Sequence, residues 1–72
     1  MELLLFRTDI KSKKKVRHVT PILDRHSDIL KWSIDLEDID NVLRIEATTN
    51  LTEDEIVSLV RVHGFYIQTL TD

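Results

Sequence analysis

Residues 30–37 read Leu-Lys-Trp-Ser-Ile-Asp-Leu-Glu and alternate apolar with polar side chains throughout. This period of two predicts a β-strand with one buried and one polar face. An acidic turn follows at 38–41, and residues 43–47 alternate in the same way. The two segments therefore predict an antiparallel β-hairpin, and Trp32 is expected on its core side.

A helix and a last strand are expected after the hairpin. Thr52 and Glu55 have the spacing of a helix capping box, and three acids in the first turn favour a helix start there. Apolar side chains then recur at helical spacing from Ile56, and His63 continues the same stripe. The helix is therefore expected to end at His63, on its buried face and just before the single glycine. Residues 65–70 mix aromatic and β-branched side chains, which favours a short strand.

The N-terminal part predicts a strand and a helix of its own. Residues 2–8 contain the run Leu-Leu-Leu-Phe, which is typical of a strand buried on both faces or at the edge of a core. A helix starting at Ser12 is marked by four apolar residues at helical spacing, Val16, Val19, Ile22 and Leu23. Pro21 lies within this stretch and is expected to kink or shorten the helix.

The resulting order is strand, helix, strand, strand, helix, strand, the split βαβ arrangement of ferredoxin-like folds. Right-handed crossovers place the strands of an antiparallel sheet in the order 4-1-3-2, with both helices on one face. We therefore expect a single α+β domain over residues 1–72, since the chain is too short for a two-lobed enzyme.

The composition excludes several kinds of chemistry. With no cysteine, the chain has no thiol nucleophile, disulfide, zinc-thiolate or iron-sulfur site. Its one glycine excludes a glycine-rich phosphate loop, and its longest apolar run is far too short to cross a bilayer. No catalytic arrangement of side chains can be read from the sequence. We expect no enzymatic activity, no cofactor, no membrane contact and a cytoplasmic location.

The formal net charge of −3 is unevenly distributed. Six of the ten lysines and arginines form a basic cluster before and within the first predicted helix: Arg7, Lys11, Lys13, Lys14, Lys15 and Arg17. Helix N-termini flanked by lysines attract anions, so this cluster is either a solvated loop or a site for an acidic partner. The acidic stretch of the hairpin at 37–40 offers a complementary surface on another copy, so weak self-association is possible. Nucleic acid is not expected, because Tyr66 is the one aromatic side chain predicted on the open sheet face.

Three segments of the chain are similar to a known family. Residues 7–12, Arg-Thr-Asp-Ile-Lys-Ser, stand where heavy-metal-associated domains of copper chaperones and metal-transporting ATPases carry Met-x-Cys-x-x-Cys after the first strand. Residues 29–37 resemble the second strand of that family, and His-Gly-Phe at 63–65 stands where it often has Ala-Gly-Tyr. The resemblance covers nearly the whole chain and implies the same ferredoxin-like fold.

The resemblance places Asp9 and Ser12 at the positions of the two metal-binding cysteines, and Arg7 at that of the methionine. Cu(I) prefers soft sulfur ligands, whereas a carboxylate and a hydroxyl are hard, so copper transfer through this loop is not expected. In the copper chaperones that the chain resembles, the equivalent lysine-bearing loop docks on an acidic surface of a partner. The resemblance thus implies an interaction module that docks an acidic partner protein through the basic cluster.

A heavy-metal carrier with non-thiol ligands is the alternative interpretation, with Asp9 or histidine as ligand. His18 and His26 would lie ~12 Å apart along a continuous helix and are not expected to share a metal. His63 is expected to be partly buried, where it would fill space or cap carbonyls. A third possibility is a small ligand-sensing or RNA-binding domain, which salt-dependent retention of RNA would support.

Overall fold

The computed structural model describes residues 1–70 and confirms the predicted element order. The elements are β1 (Glu2–Thr8), α1 (Lys13–Asp24), β2 (Ile29–Ile34), β3 (Leu43–Ala47), α2 (Glu53–Arg61) and β4 (Ile67–Thr69). The strands form one antiparallel sheet in the order β2-β3-β1-β4, which is the predicted order read from the opposite edge. The fold is therefore the ferredoxin-like α+β arrangement.

The hydrophobic core lies between the sheet and the two helices. Its members are at most 1% exposed: Phe6, Ile10, Val19, Leu23, Leu43, Ile45, Ala47, Leu51, Ile56, Val60 and Ile67. Nine of them come from alternate strand positions and from one stripe of each helix, as the two periodicities require, and Ile10 and Leu51 come from the loops before the helices. Trp32 packs against this core from the sheet edge, as expected, and its indole N–H donates to Asp24 Oδ1 at 2.7 Å.

β1 differs from a strand buried on both faces. Phe6 and Thr8 lie on the core face, whereas Leu3 on the opposite face is 61% exposed. The helices cover one side of the sheet only, so the apolar run at the start of β1 is not buried throughout. The sequence pattern alone could not distinguish a central strand with one covered face from one with two.

β2 departs from the simple alternation that predicted it. Ile29 pairs with Ala47 and Lys31 pairs with Glu46, so Leu30 is the extra residue of a β-bulge. Leu30 is consequently 56% exposed. The alternation predicted Leu30 on the core side, but Ile29 packs against the core instead. The strand also ends at Ile34, earlier than the pattern suggested.

α1 continues through Pro21 and ends at Asp24. The expectation that the proline would shorten the helix is therefore wrong. Pro21 and Arg17 both lie on the exposed face of α1. Because a proline has no N–H, the carbonyl of Arg17 loses its helical donor, but on this face water can replace that hydrogen bond.

Replacing Pro21 with alanine is expected to stabilise the domain by about 2–3 kcal/mol. Alanine is favoured over proline within a helix by ~3 kcal/mol, and the loss of the ring's constraint on the unfolded chain offsets up to ~1 kcal/mol of this. Urea unfolding followed by circular dichroism measures the change. An unaltered midpoint would show that the missing hydrogen bond costs α1 nothing.

α2 begins as predicted and ends earlier. The Thr52 hydroxyl accepts the Glu55 N–H at 3.2 Å, which confirms the N-cap. The helix ends at Arg61, so His63 lies in the following turn and is exposed, not on the buried face. Gly64 adopts φ +90°, the left-handed conformation expected after a helix.

Candidate functional site

The loop that joins β1 to α1 lies where three parts of the chain meet. The Thr8 N–H donates to the carbonyl of Asp40 at 3.1 Å, and the Asp9 N–H donates to the carbonyl of Tyr66 at 3.2 Å. The end of β1 is thus joined both to the β2–β3 turn and to the segment before β4. These contacts set the position from which residues 9–12 leave the sheet.

Thr8 and Ile10 hold the loop from inside. The Thr8 hydroxyl donates to the carbonyl of Asn41 at 2.7 Å and accepts the Ile10 N–H at 3.2 Å. Thr8 is 4% exposed and Ile10 is fully buried. Sequence reasoning did not identify either residue as part of the site. The available signal was an isolated apolar residue, Ile10, within an otherwise polar stretch.

Asp9, which stands at the place of the first cysteine in the family pattern, is engaged on both carboxylate oxygens. Oδ1 accepts the Tyr66 N–H at 3.0 Å, and Oδ2 lies 3.6 Å from Lys15 Nζ. The same ammonium group donates to the Asp9 carbonyl at 3.1 Å. Asp9 therefore fixes the start of α1 relative to the start of β4, and a metal bound here would have to displace a lysine.

Ser12, at the place of the second cysteine, is the N-cap of α1. Its hydroxyl accepts the Lys15 N–H at 3.2 Å, and its carbonyl accepts the Val16 N–H at 3.0 Å. This engagement satisfies backbone donors that a helix start otherwise leaves unpaired. As metal ligands, a hydroxyl and a carboxylate are both hard. Neither Ser12 nor Asp9 therefore provides the soft ligand that Cu(I) requires.

The basic cluster separates into two groups. Arg7 Nε lies 3.0 Å from Asp40 Oδ1, and Lys15 contacts Asp9, so these two cations already have acidic neighbours in the chain. The other four are exposed and form no ion pair within residues 1–70: Lys11, Lys13, Lys14 and Arg17. We call these four residues the exposed basic patch.

The acidic turn has internal roles as well. Asp40 pairs with Arg7, and the Asp38 carboxylate accepts the Asp40 N–H at 2.8 Å. Asp35 Oδ1 likewise accepts the Glu37 N–H at 3.0 Å. These local hydrogen bonds explain why acids are concentrated here, since Asp side chains stabilise turns by accepting a nearby backbone N–H.

The structure places all three histidines along one groove between α1 and α2, lined by His18, Pro21, Ile22, Arg25, His26, Leu59 and His63. Sequence patterns did not predict this grouping, because the helical spacing put His63 on the buried face of α2, whereas it is exposed. His26 Nδ1 accepts the Asp28 N–H at 3.2 Å. Within residues 1–70, no three side chains of His, Asp or Glu are grouped closely enough to hold a metal ion.

The fold is shared with solved structures, although the sequence itself matches no known domain family and no curated protein. A chain of the Atx1–Cu(I)–Ccc2a complex has a TM-score of 0.84 at 16% identity, over 100% of this chain and 99% of that chain. The chain has the fold of metallochaperone domains. The yeast copper transporter domain Ccc2a, solved in apo and Cu(I)-loaded states, has a TM-score of 0.83 at 16% identity, over 100% of this chain and 99% of its own.

A third similar structure is the CsoZ metallochaperone, with a TM-score of 0.74 at 14% identity over 97% of both chains. The resemblance to heavy-metal-associated domains is thereby confirmed for the fold, in a chain that has no cysteine. Within the described residues, no helix has the length and apolar character needed to cross a bilayer.

Proposed function

We propose that this chain is a non-enzymatic interaction domain that docks an acidic surface of a partner protein through the exposed basic patch. The proposal rests on the positive charge at the start of α1, where Lys13, Lys14 and Lys15 follow one another. The first turn of this helix contains no acid, whereas that of α2 contains Glu53, Asp54 and Glu55. Lysines at a helix N-terminus oppose the helix dipole and cost stability, and an acidic ligand would offset that cost.

The surrounding contacts support this role, because they fix the helix from which the patch projects. Thr8 and Asp9 join the loop to Asn41 and Tyr66, both distant in sequence. The flexible lysine side chains therefore extend from a defined backbone. Charged patches of this kind raise association rates and select partners more than they raise affinity, so the contact should be weak and sensitive to salt.

A foreign acidic surface is favoured over a second copy of the chain. The acidic turn was the expected counterpart in self-association, but Asp40 is occupied by Arg7 of its own chain. Among the neighbours of the same fold, Atx1 and Ccc2a occur together in one complex with Cu(I). That precedent supports docking between proteins, and the partner chemistry proposed here rests on the charges of this chain.

Reversing two charges in the patch, Lys13→Glu with Lys14→Glu, is expected to weaken binding of an acidic probe at least about tenfold while raising stability. Each added acid should complement the α1 dipole by ~0.3–1 kcal/mol, and each reversed charge should oppose the probe by a similar amount. The probe is a deca-glutamate peptide, titrated at low salt into the isotope-labelled chain and followed by amide chemical shifts. Urea unfolding measures the stability.

The double variant Lys31→Glu with Arg44→Glu also reverses two exposed positive charges, on β2 and β3 and away from the patch, and is the matched control. The proposal requires amide shifts centred on residues 11–17 and a much smaller loss of binding for the control. Equal losses for the two variants would mean that only net charge matters.

Calorimetric titration with Zn²⁺, Ni²⁺ or Mn²⁺ tests the metal-carrier alternative, since micromolar binding lost in Asp9→Ala would favour that function instead.

A further inference from the structure

The groove between α1 and α2 has a volume of about 500 Å³ and is open to solvent along its length. Pro21, Ile22 and Leu59 provide its apolar surface, and Ile22 and Leu59 also pack against the core. A shallower depression adjoins it along α2, shares Leu59 with it, and includes Val62, which is 76% exposed. Apolar surface therefore continues along α2 from one depression into the other.

The ionisable side chains that line the groove are all basic residues. Its ionisable residues are His18, Arg25, His26 and His63, and no carboxylate lines it, although the chain as a whole has an excess of acids. Within residues 1–70, no hydrogen bond or ion pair engages the side chains of His18, Arg25 or His63. These groups are therefore available to an anionic ligand.

The acids nearest the groove determine which end of it attracts an anion. Asp54 and Glu55, from the first turn of α2, line the adjoining depression together with His26. They reduce the positive potential around His26. Asp24, from the last turn of α1, is hydrogen-bonded to the Trp32 indole. The carboxylates of a ligand should therefore lie nearer His18 and His63.

We propose that this groove binds an acidic amphipathic peptide segment of a partner. Apolar side chains of the segment contact Ile22 and Leu59, and its carboxylates pair with His18, Arg25 and His63. An open groove between helices, with apolar surface along one helix, suits an amphipathic segment presenting one apolar face. A small anion would leave the apolar surface unused. The proposal is independent of the exposed basic patch.

The test uses a 16-residue helical peptide of Glu, Ala and Leu, with the leucines on one face, titrated into the isotope-labelled chain. Amide shifts are expected at residues 18–26 and 59–63. The double variant Arg25→Glu with His63→Glu should bind at least about tenfold more weakly. Its control is Lys31→Glu with Arg44→Glu, which changes the net charge by at least as much outside the groove.

Three results would overturn the proposal. Equal binding of a Glu-Ala peptide without leucine would show that the apolar surface has no role. Binding of laurate to residues 18–26 without binding of the peptide would identify a fatty carboxylate as the occupant. Shifts confined to residues 11–17 would exclude the groove while leaving the proposed function of the exposed basic patch intact. Failure of that function would conversely leave the groove result unchanged.

Discussion

Replacing Asp9 and Ser12 together with cysteine is expected to convert a loop with no sulfur donor into a Cu(I) site, with a gain of several orders of magnitude in affinity. The fold is already that of proteins solved with Cu(I). The sequence resemblance alone places Asp9 and Ser12 at the two cysteines of the family pattern. Thiolates are the soft ligands that Cu(I) prefers. The start of α1 and the adjacent lysines should also favour the thiolate form of both cysteines.

Competition with a chromophoric Cu(I) chelator measures this gain, and the single variants Asp9→Cys and Ser12→Cys are the controls. Each supplies one sulfur and should bind far more weakly than the double variant. The loss of the bonds from Asp9 to Tyr66 and Lys15 should lower stability in every variant that changes Asp9. If the double variant binds Cu(I) no better than Asp9→Ala with Ser12→Ala, the loop cannot bring two thiolates together.

Replacing Thr8 with valine is expected to lower the free energy of unfolding by about 2–3 kcal/mol. Valine has nearly the same shape but cannot make the two hydrogen bonds of the hydroxyl. The Asn41 carbonyl would lose a donor and the Ile10 N–H would lose an acceptor, both in buried surroundings. Urea unfolding measures the loss, which is large for a domain of this size because small domains are only marginally stable.

Thr20→Val is the matched control for this prediction. The Thr20 hydroxyl also donates to a carbonyl at 2.7 Å, that of Val16, but there the acceptor lies within a helix. That carbonyl keeps a backbone donor when the hydroxyl is removed, so the cost should stay below about 1 kcal/mol. Equal costs for the two variants would contradict the role assigned to Thr8 in holding the loop.

Different residues determine the conformation of the β1–α1 loop and the positive charge at the start of α1. Thr8 and Asp9 hold the loop through hydrogen bonds to Asn41 and Tyr66, while the lysines that follow oppose the dipole of the helix they begin. Substitutions in the patch should therefore change binding without loss of stability, whereas substitutions at Thr8 should act on stability first. This separation makes the proposed docking function testable in a small domain.

Local patterns predicted most of the secondary structure. Alternation identified β2 and β3, and the Thr52 cap and Gly64 marked α2, since all of these signals lie within a few residues of one another. Strand pairing overrode the pattern in β2, while in the helices the pattern misjudged the effect of Pro21 and the last residue of α2. The bulge at Leu30 depends on how β2 aligns with β3, and no feature within 30–37 announces it.

The sequence by itself determined the element order, the strand order, the absence of thiol ligands and the concentration of positive charge at the start of α1. Only the tertiary structure decided which groups those side chains meet. Asp9 contacts a residue 57 positions away and Thr8 one 33 positions away. His18 reaches the groove from α1, and His63 reaches it from the turn that follows α2. Periodicity and capping depend on neighbours in the chain, whereas these contacts form only when sheet pairing and helix packing bring distant segments together.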